Sequence, residues 1–299
     1  MSAGPDELLL RMAEELFARH CTPQLVAAAE EEGWSPALWQ ELERSGLVRV
    51  GVDATRLEAA AIVRIAASYA APVPLAETVM ASWLLLEAGR EVPAGPMTVV
   101  SEGKAPYASV ARALVVGKRA VAPEQCVMAP AGRNLAAEPW FTVEHPGADA
   151  GPEPAGALLR SVQMAGALDR VLQLTSTYVA DRRQFGQPLN RFQAVQQHLA
   201  LLAAEVAVAA AAVAGAIDEP GLLSIAAAKI RCGQAAGKVA EIAHQLHGAI
   251  GFTVEHELHL FTRRLWSWRD EFGTESEWSA RLGDQLIREG ADAVWMALT

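Results

Sequence analysis

The sequence predicts a mainly α-helical protein in three parts: an N-terminal helical domain (residues 1–91), a reduced β-rich middle domain (92–154) and a C-terminal four-helix bundle with extensions (155–299). Three observations predict it. The 299 residues are 52% hydrophobic and Ala-rich with only three tyrosines, which favours helix over sheet. Between Val92 and Pro154, Pro and Gly recur every few residues around short β-branched runs, the mark of brief strands. After Gly156, apolar residues return at steps of three and four, as one buried helix face requires.

In chain order, Pro5 stands near the first turn of a helix ending around His20. Ser35-Pro36 reads as an N-cap followed by Pro at N1, and Gly46 as the stop. Helices over 56–70 and 76–88 are separated by the breaker Ala71-Pro72-Val73-Pro74. Strand-like runs occupy 97–101, 109–117, 120–129 and 140–145. In the bundle, Ala165, Leu168, Leu172, Thr175 and Val179 mark one buried stripe. A second helix opens after Asn190, with Gln193 at its third position, and ends before Pro220-Gly221. A third spans 222–247 and a fourth 255–269; Thr274 and Glu277 form a capping box that starts a fifth, running to the C-terminus.

Charge and composition exclude several function classes. A net charge of −10 with no basic stripe argues against nucleic acid, which needs clustered Lys and Arg. Cys21, Cys126 and Cys232 are widely separated, so neither a disulfide framework nor a metal site is expected, and their odd number suits a reducing cytoplasm. The N-terminus mixes acids with its leucines, which reads as a helix and not a signal peptide. The apolar run 199–217 has the length of a membrane span, but Glu205 lies inside it and Ala supplies most of its apolarity; it reads as a buried bundle helix. Glu255-His256-Glu257-Leu258-His259 lacks the histidine spacing of a helical zinc site and reads as a polar helix face.

Two polar, Gly-bearing interruptions break the helical C-terminal half. In the first, a helix ends in Arg182-Arg183, the turn Gln184-Phe185-Gly186-Gln187-Pro188 follows, and Phe192-Gln193 comes next. In the second, Gln245 and His247 precede a small-residue turn of Gly248, Ala249 and Gly251. By themselves, the arginines are cations suited to a helix C-terminus, Gln193 can cap its own helix start, and Gly248 can end a helix. His247 beside the turn is a candidate cofactor or substrate contact, with the same dipole reading open to it.

Together the two stretches resemble the acyl-CoA dehydrogenase family, whose C-terminal domain carries an Arg-x-x-Phe-Gly turn, a following Phe-Gln and a later Gln-x-x-Gly-Gly-x-Gly turn. Ala249 replaces the second glycine of the last motif. The resemblance implies FAD as cofactor. Arg182, Gln184, Phe185 and Gln193 would contact its pyrophosphate and adenine end, with Gln245, Gly248, Ala249 and Gly251 alongside. In the family these motifs reach across a dimer interface to a flavin whose ring lies mainly in the neighbouring subunit. Ser101-Glu102-Gly103 resembles the family's Thr-Glu-Pro-Gly loop. Trp140-Phe141-Thr142 is similar to its Trp-Ile-Thr segment but follows strands that should come after it.

A family dehydrogenase also needs a carboxylate to take the α-proton. Its usual position, in a Tyr-Glu-Gly-Thr segment, corresponds here to Phe272 of Glu271-Phe272-Gly273-Thr274, and a second family position falls at Gly156. No catalytic residue is therefore assigned; Glu271 is the nearest displaced candidate, and Asp270, Glu271 and Glu153 read as solvated acids. The expectation is a small subunit of a heterotetramer. It would supply the trans half of the FAD site to a larger homologue that carries the base. The substrate would be an acyl-CoA, such as a steroid side-chain thioester, with electron-transfer flavoprotein as acceptor. Alternatives are a self-sufficient homodimer using a displaced base, or a flavin-free scaffold or regulatory subunit.

Overall fold

The computed structural model describes residues 5–145 and 153–290. Local capping signals start most of its N-terminal helices. Asp6 caps α1 (Glu7–His20), Thr22 caps α2 (Pro23–Glu32) and Ser35 caps α3 (Pro36–Ser45), each side chain accepting from a backbone N–H of the first turn. Left-handed Gly33 and Gly46 close α2 and α3. Helix α2 is absent from the sequence reading, although Thr22-Pro23 is the same signal as Ser35-Pro36. A short α4 (Val50–Asp53) precedes α5 (Arg56–Ser68), opened by a reciprocal Thr55–Glu58 capping box, and α6 (Leu75–Glu87).

The middle forms two three-stranded sheets. β1 (Met97–Val100), β3 (Ala113–Val116) and β4 (Arg119–Val121) make one, with β1 and β3 parallel; β2 (Lys104–Pro106), β6 (Pro139–Glu144) and β5 (Val127–Arg133) make the other. β2 is too short to show in sequence. It exists because Glu102 and Gly103, both at positive φ (52° and 68°), reverse the chain so that Ser101 and Lys104 exchange two backbone hydrogen bonds of 2.9 Å.

Helix α7 (Glu153–Asp181) then runs the length of the bundle. A two-residue hairpin of β7 (Arg183–Gln184) and β8 (Gln187–Pro188) follows, and then α8 (Gln193–Asp218), α9 (Leu222–His247), α10 (Leu258–Trp268) and α11 (Glu275–Glu289). Helix α5 crosses α7 at Gly166, so closely that a Cβ there would lie 2.1 Å from the Arg64 carbonyl oxygen. One apolar core therefore runs from Phe17 and Leu42 through Leu168 to Val206 and Ala236.

Three expectations are corrected. Asn190 does not cap α8: it lies in a single 3-10 turn, Phe192 is the N-cap, and Gln193 is the first helical residue, so Gln193 has no capping-box role. Helix α10 starts at Leu258 and not at 255, because the His256 Nδ1 accepts the Leu258 N–H (3.2 Å) and turns the chain first. Helix α8 is not a buried bundle helix. Its stripe of Leu202, Val206, Ala209, Val213 and Ala216 packs inward, while less than a third of its apolar stretch is buried. Glu205 is satisfied by an ion pair to Arg231 (2.8 Å). The Glu153 side chain and the expected run of the last helix beyond residue 290 lie outside the described residues.

Candidate functional site

The motif residues gather at one end of the bundle, on its outside. Arg182 follows the last turn of α7, its N–H bonded to the Tyr178 carbonyl (2.8 Å) and its carbonyl to the Leu189 N–H (2.9 Å). The hairpin turn is Phe185-Gly186, both at positive φ (52° and 83°), which throws Phe185 into solvent at 91% exposure with its ring edge against Phe192. Gln184, Gln193, Gln245 and Ala249 are also exposed. Gly248 adopts φ 62°, ψ −143°, close to backbone space that only glycine enters readily, so the end of α9 depends on it. Gly251 stands apart from the others. It is buried, and a Cβ there would meet the His247 Cβ at 2.8 Å, so packing accounts for its missing side chain.

Beneath Arg182 lies a cleft of about 540 Å³ walled by Arg170, Leu174, Tyr178, Asp181 and His256. His256 is not on a polar helix face, as sequence suggested; its ring stands edge-on to His247 with centroids 4.5 Å apart. Burial holds the His247 and His256 imidazoles below their ordinary range. A forked guanidinium, an exposed aromatic face and side-chain amides around a glycine turn fit the pyrophosphate and adenosine of a dinucleotide.

A separate cavity of about 550 Å³, between the β2-β6-β5 sheet and the α10–α11 region, is lined among others by Ser101, Glu102, Trp140, Glu271 and Phe272. Sequence order set Trp140 aside, but β6 pairs with β2, placing Trp140 opposite Pro106 and at the same cavity as the Ser101 turn. Phe272 takes φ 55°, its carbonyl accepts from Trp278 Nε1 (2.8 Å), and its ring covers Gly156 so tightly that a Cβ there would sit 2.3 Å away. The two positions where a base was sought thus face each other. Neither carries a carboxylate.

Glu271 is not a solvated acid. Its side chain is 10% exposed, with Oε2 accepting from Arg160 Nε (2.7 Å) and Oε1 from Asn134 Nδ2 (3.0 Å). Arg160 also pairs with Glu77 on α6 (2.8 Å), and Asn134 bridges to Glu138 (2.7 Å), which accepts from Trp268 Nε1 (3.1 Å). Burial pushes the Glu271 carboxyl up to about 7 against the pull of Arg160. Lys229, buried on α9, donates to the Trp268 and Arg269 carbonyls (3.0 and 2.6 Å) and is pulled down to about 8 by desolvation. Asp270, by contrast, is 65% exposed. With both carboxylate oxygens engaged, Glu271 anchors the turn that aims Phe272 and is poorly placed to take a substrate proton. Glu77, Asn134 and Arg160 are not singled out by sequence; an arginine inside the apolar run around Leu158, Leu159 and Val162 is the signal the chain offers.

Comparison with known proteins bears on the family and the fold. Residues 155–275 match the family described as Acyl-CoA dehydrogenase, C-terminal domain. The acyl-CoA dehydrogenase IpdE2 of Mycolicibacterium smegmatis is 31% identical over 86% of this chain and 91% of its own length. Among solved structures, a chain of the ChsE4-ChsE5 complex from Mycobacterium tuberculosis superposes with a TM-score of 0.86 at 21% identity, covering 97% of this chain and 100% of that one. The Tcur3481-Tcur3483 steroid ACAD gives 0.82 at 22% identity, covering 95% and 98%. The two solved structures establish the fold, and the near full-length relative carries the conclusion further: this chain belongs to the acyl-CoA dehydrogenase family.

Proposed function

We propose that this chain is the smaller, non-catalytic subunit of a flavin-dependent acyl-CoA dehydrogenase heteromer. In this reading it lends the outer wall described above to an FAD held mainly by a larger homologous subunit. One observation carries it: the Phe272 ring packed on Gly156 leaves this chain's own cavity without a base at either expected position, while Arg182 and Phe185 face outward.

Arg182 would offer guanidinium N–H donors to the pyrophosphate, Phe185 an aromatic surface to the adenine end, and Gln193 and Gln245 amides that can donate or accept. The Gly248-Ala249 backbone lets the nucleotide approach the end of α9. When bound, FAD supplies the hydride acceptor for α,β-dehydrogenation of an acyl-CoA, and the larger subunit's carboxylate takes the α-proton. The exposed apolar face of α8 supports an oligomeric state, since surfaces of that kind are rarely left open to water. Pairing with a second subunit and a steroid substrate are supported by the likeness to a chain of the ChsE4-ChsE5 complex and to a steroid ACAD; a cytoplasmic heterotetramer acting on a side-chain thioester is the form this reading takes. Electron-transfer flavoprotein is the acceptor this reading expects.

The test is to purify the chain alone and after co-expression with a larger homologue from the same organism. A yellow, active complex and a colourless lone chain support the reading. A lone chain that is yellow and active contradicts it in favour of a homodimer, and colourless protein in both cases in favour of a flavin-free scaffold.

A further inference from the structure

The outer wall is made of two stretches that the chain brings together from 60 or so residues apart, and something must hold them at a fixed spacing. Tyr178 lies one turn before Arg182 on α7, and His247 is the last residue of α9, immediately before Gly248. Their rings stack with centroids 4.4 Å apart at 20°, and the Tyr178 hydroxyl donates to the His247 carbonyl oxygen at 3.3 Å. His256, on the returning chain, stands edge-on to both rings, at 4.5 Å from His247 and 5.9 Å from Tyr178. The absent side chain at Gly251 lets that chain fold over His247.

The protonation of His247 follows from its contacts. The residue is 3% exposed, and its Nδ1 lies 2.8 Å from the Ala243 carbonyl, which only accepts, so Nδ1 carries the proton. Nε2 is then a bare lone pair, enclosed and without a hydrogen-bond partner among the described residues. A second proton on this ring would place an N–H where, among those residues, no acceptor stands. The groups facing the cluster are Arg170 and Asp181 from α7, Arg182 just after it, His244 from α9, Glu257 from the returning chain and His259 from α10, with Arg170 paired to Glu257 at 3.2 Å.

We propose that Tyr178, His247 and His256 are positioning residues: a neutral three-ring clamp that fixes the Arg182 hairpin relative to the Gly248 turn, and so makes FAD retention sensitive to acid. The proposal rests on the reading that these two stretches contact FAD. At neutral and alkaline pH the clamp is intact. On the acid side, charge on His247 or His256 beside Arg170 and Arg182 breaks the stack and the spacing.

The experiment measures FAD affinity of the co-purified complex, by flavin fluorescence titration, from pH 8.5 down to pH 5.5. Tyr178→Ala weakens binding about tenfold at pH 8, the sum of one ring stack and one hydrogen bond, and Tyr178→Phe recovers most of it. His247→Phe, which keeps a ring but removes the titrating nitrogens, holds the affinity at pH 8 and flattens the acid fall seen in the parent. Arg182→Ala loses affinity at every pH. If Tyr178→Ala and His247→Phe both follow the parent's pH profile while Arg182→Ala loses FAD, the clamp is refuted and the cofactor reading stands. If Arg182→Ala binds FAD like the parent, the cofactor reading itself falls. Should Tyr178→Ala not fold, Tyr178→Phe with His247→Phe decides: a parental acid fall in His247→Phe overturns the proposal.

Discussion

The inner cavity and the outer wall of this chain are built on opposite principles. The cavity rests on a network whose groups satisfy one another: Arg160 serves both Glu77 and Glu271, Asn134 joins Glu271 to Glu138, Lys229 holds the carbonyls at the end of α10, and Phe272 lies on Gly156. Every polar side chain named there is turned to a partner in the same molecule. The wall is open: Phe185 is almost wholly exposed, and Gln184, Gln193, Gln245 and Ala249 all face outward. Satisfied groups hold a fold together, whereas exposed groups on a rigid scaffold are those left to meet something else. The difference teaches that the part of the site conserving its own stability is not the part presented for binding.

The largest expected effect sharpens the inner half of that comparison. Arg160→Ala leaves Glu77 and Glu271 buried against no cation, and removing one partner of a buried ion pair costs about 3–5 kcal/mol. Chemical denaturation of the variant and its parent measures it; a loss below about 1 kcal/mol, the range of an exposed pair, would break the picture of a closed network.

Next comes the contact between the two base positions. Gly156→Ala drives a Cβ into the Phe272 ring and destabilises by about 1–3 kcal/mol, as overpacking does. Phe272→Ala in the same chain relieves most of that cost, so the two changes are strongly non-additive in a double-mutant cycle. Additive values would mean that the ring does not rest on residue 156.

A smaller effect is in pH. Burial raises the Glu271 carboxyl from 4.5 to about 7, so the folded state holds this proton more tightly than the unfolded chain. The stability it contributes is present in full below the unfolded value and is lost as pH rises through the folded one. Its contribution to the parent's melting temperature is therefore lost between about pH 5 and pH 7, so across that window the parent falls relative to Glu271→Gln, the depressed histidines contributing equally to both chains. Identical slopes would move the titrating group elsewhere in the network.

Much of this division was visible in the residues, for reasons that differ by element. Helix α9 runs over Leu222–His247 as its periodicity required, and the Thr274–Glu277 capping box opens α11 where it was placed, because these signals are local. The clustering of Arg182, Phe185 and Gln245 was legible only through a resemblance, since 60 or so residues of helix separate the two stretches. The Arg160–Glu271 pair was not legible. Its partners are 111 residues apart, and nothing local distinguishes a buried glutamate from a solvated one. The place of Trp140 in the chain argues against a role at the cavity, and strand pairing overrides it. The exposure of α8 is hidden from the sequence, because composition reports apolarity without saying which chain covers it.

The most direct measurement compares one residue from each region in one assembly. Flavin content per complex is determined after co-purification of the parent, Arg182→Ala and Phe272→Ala chains with the larger subunit. The account predicts that Arg182→Ala loses most of the flavin, an effect of about 10- to 100-fold on affinity for a charge-assisted pair, while Phe272→Ala keeps it. Flavin retained in Arg182→Ala and lost in Phe272→Ala would contradict it.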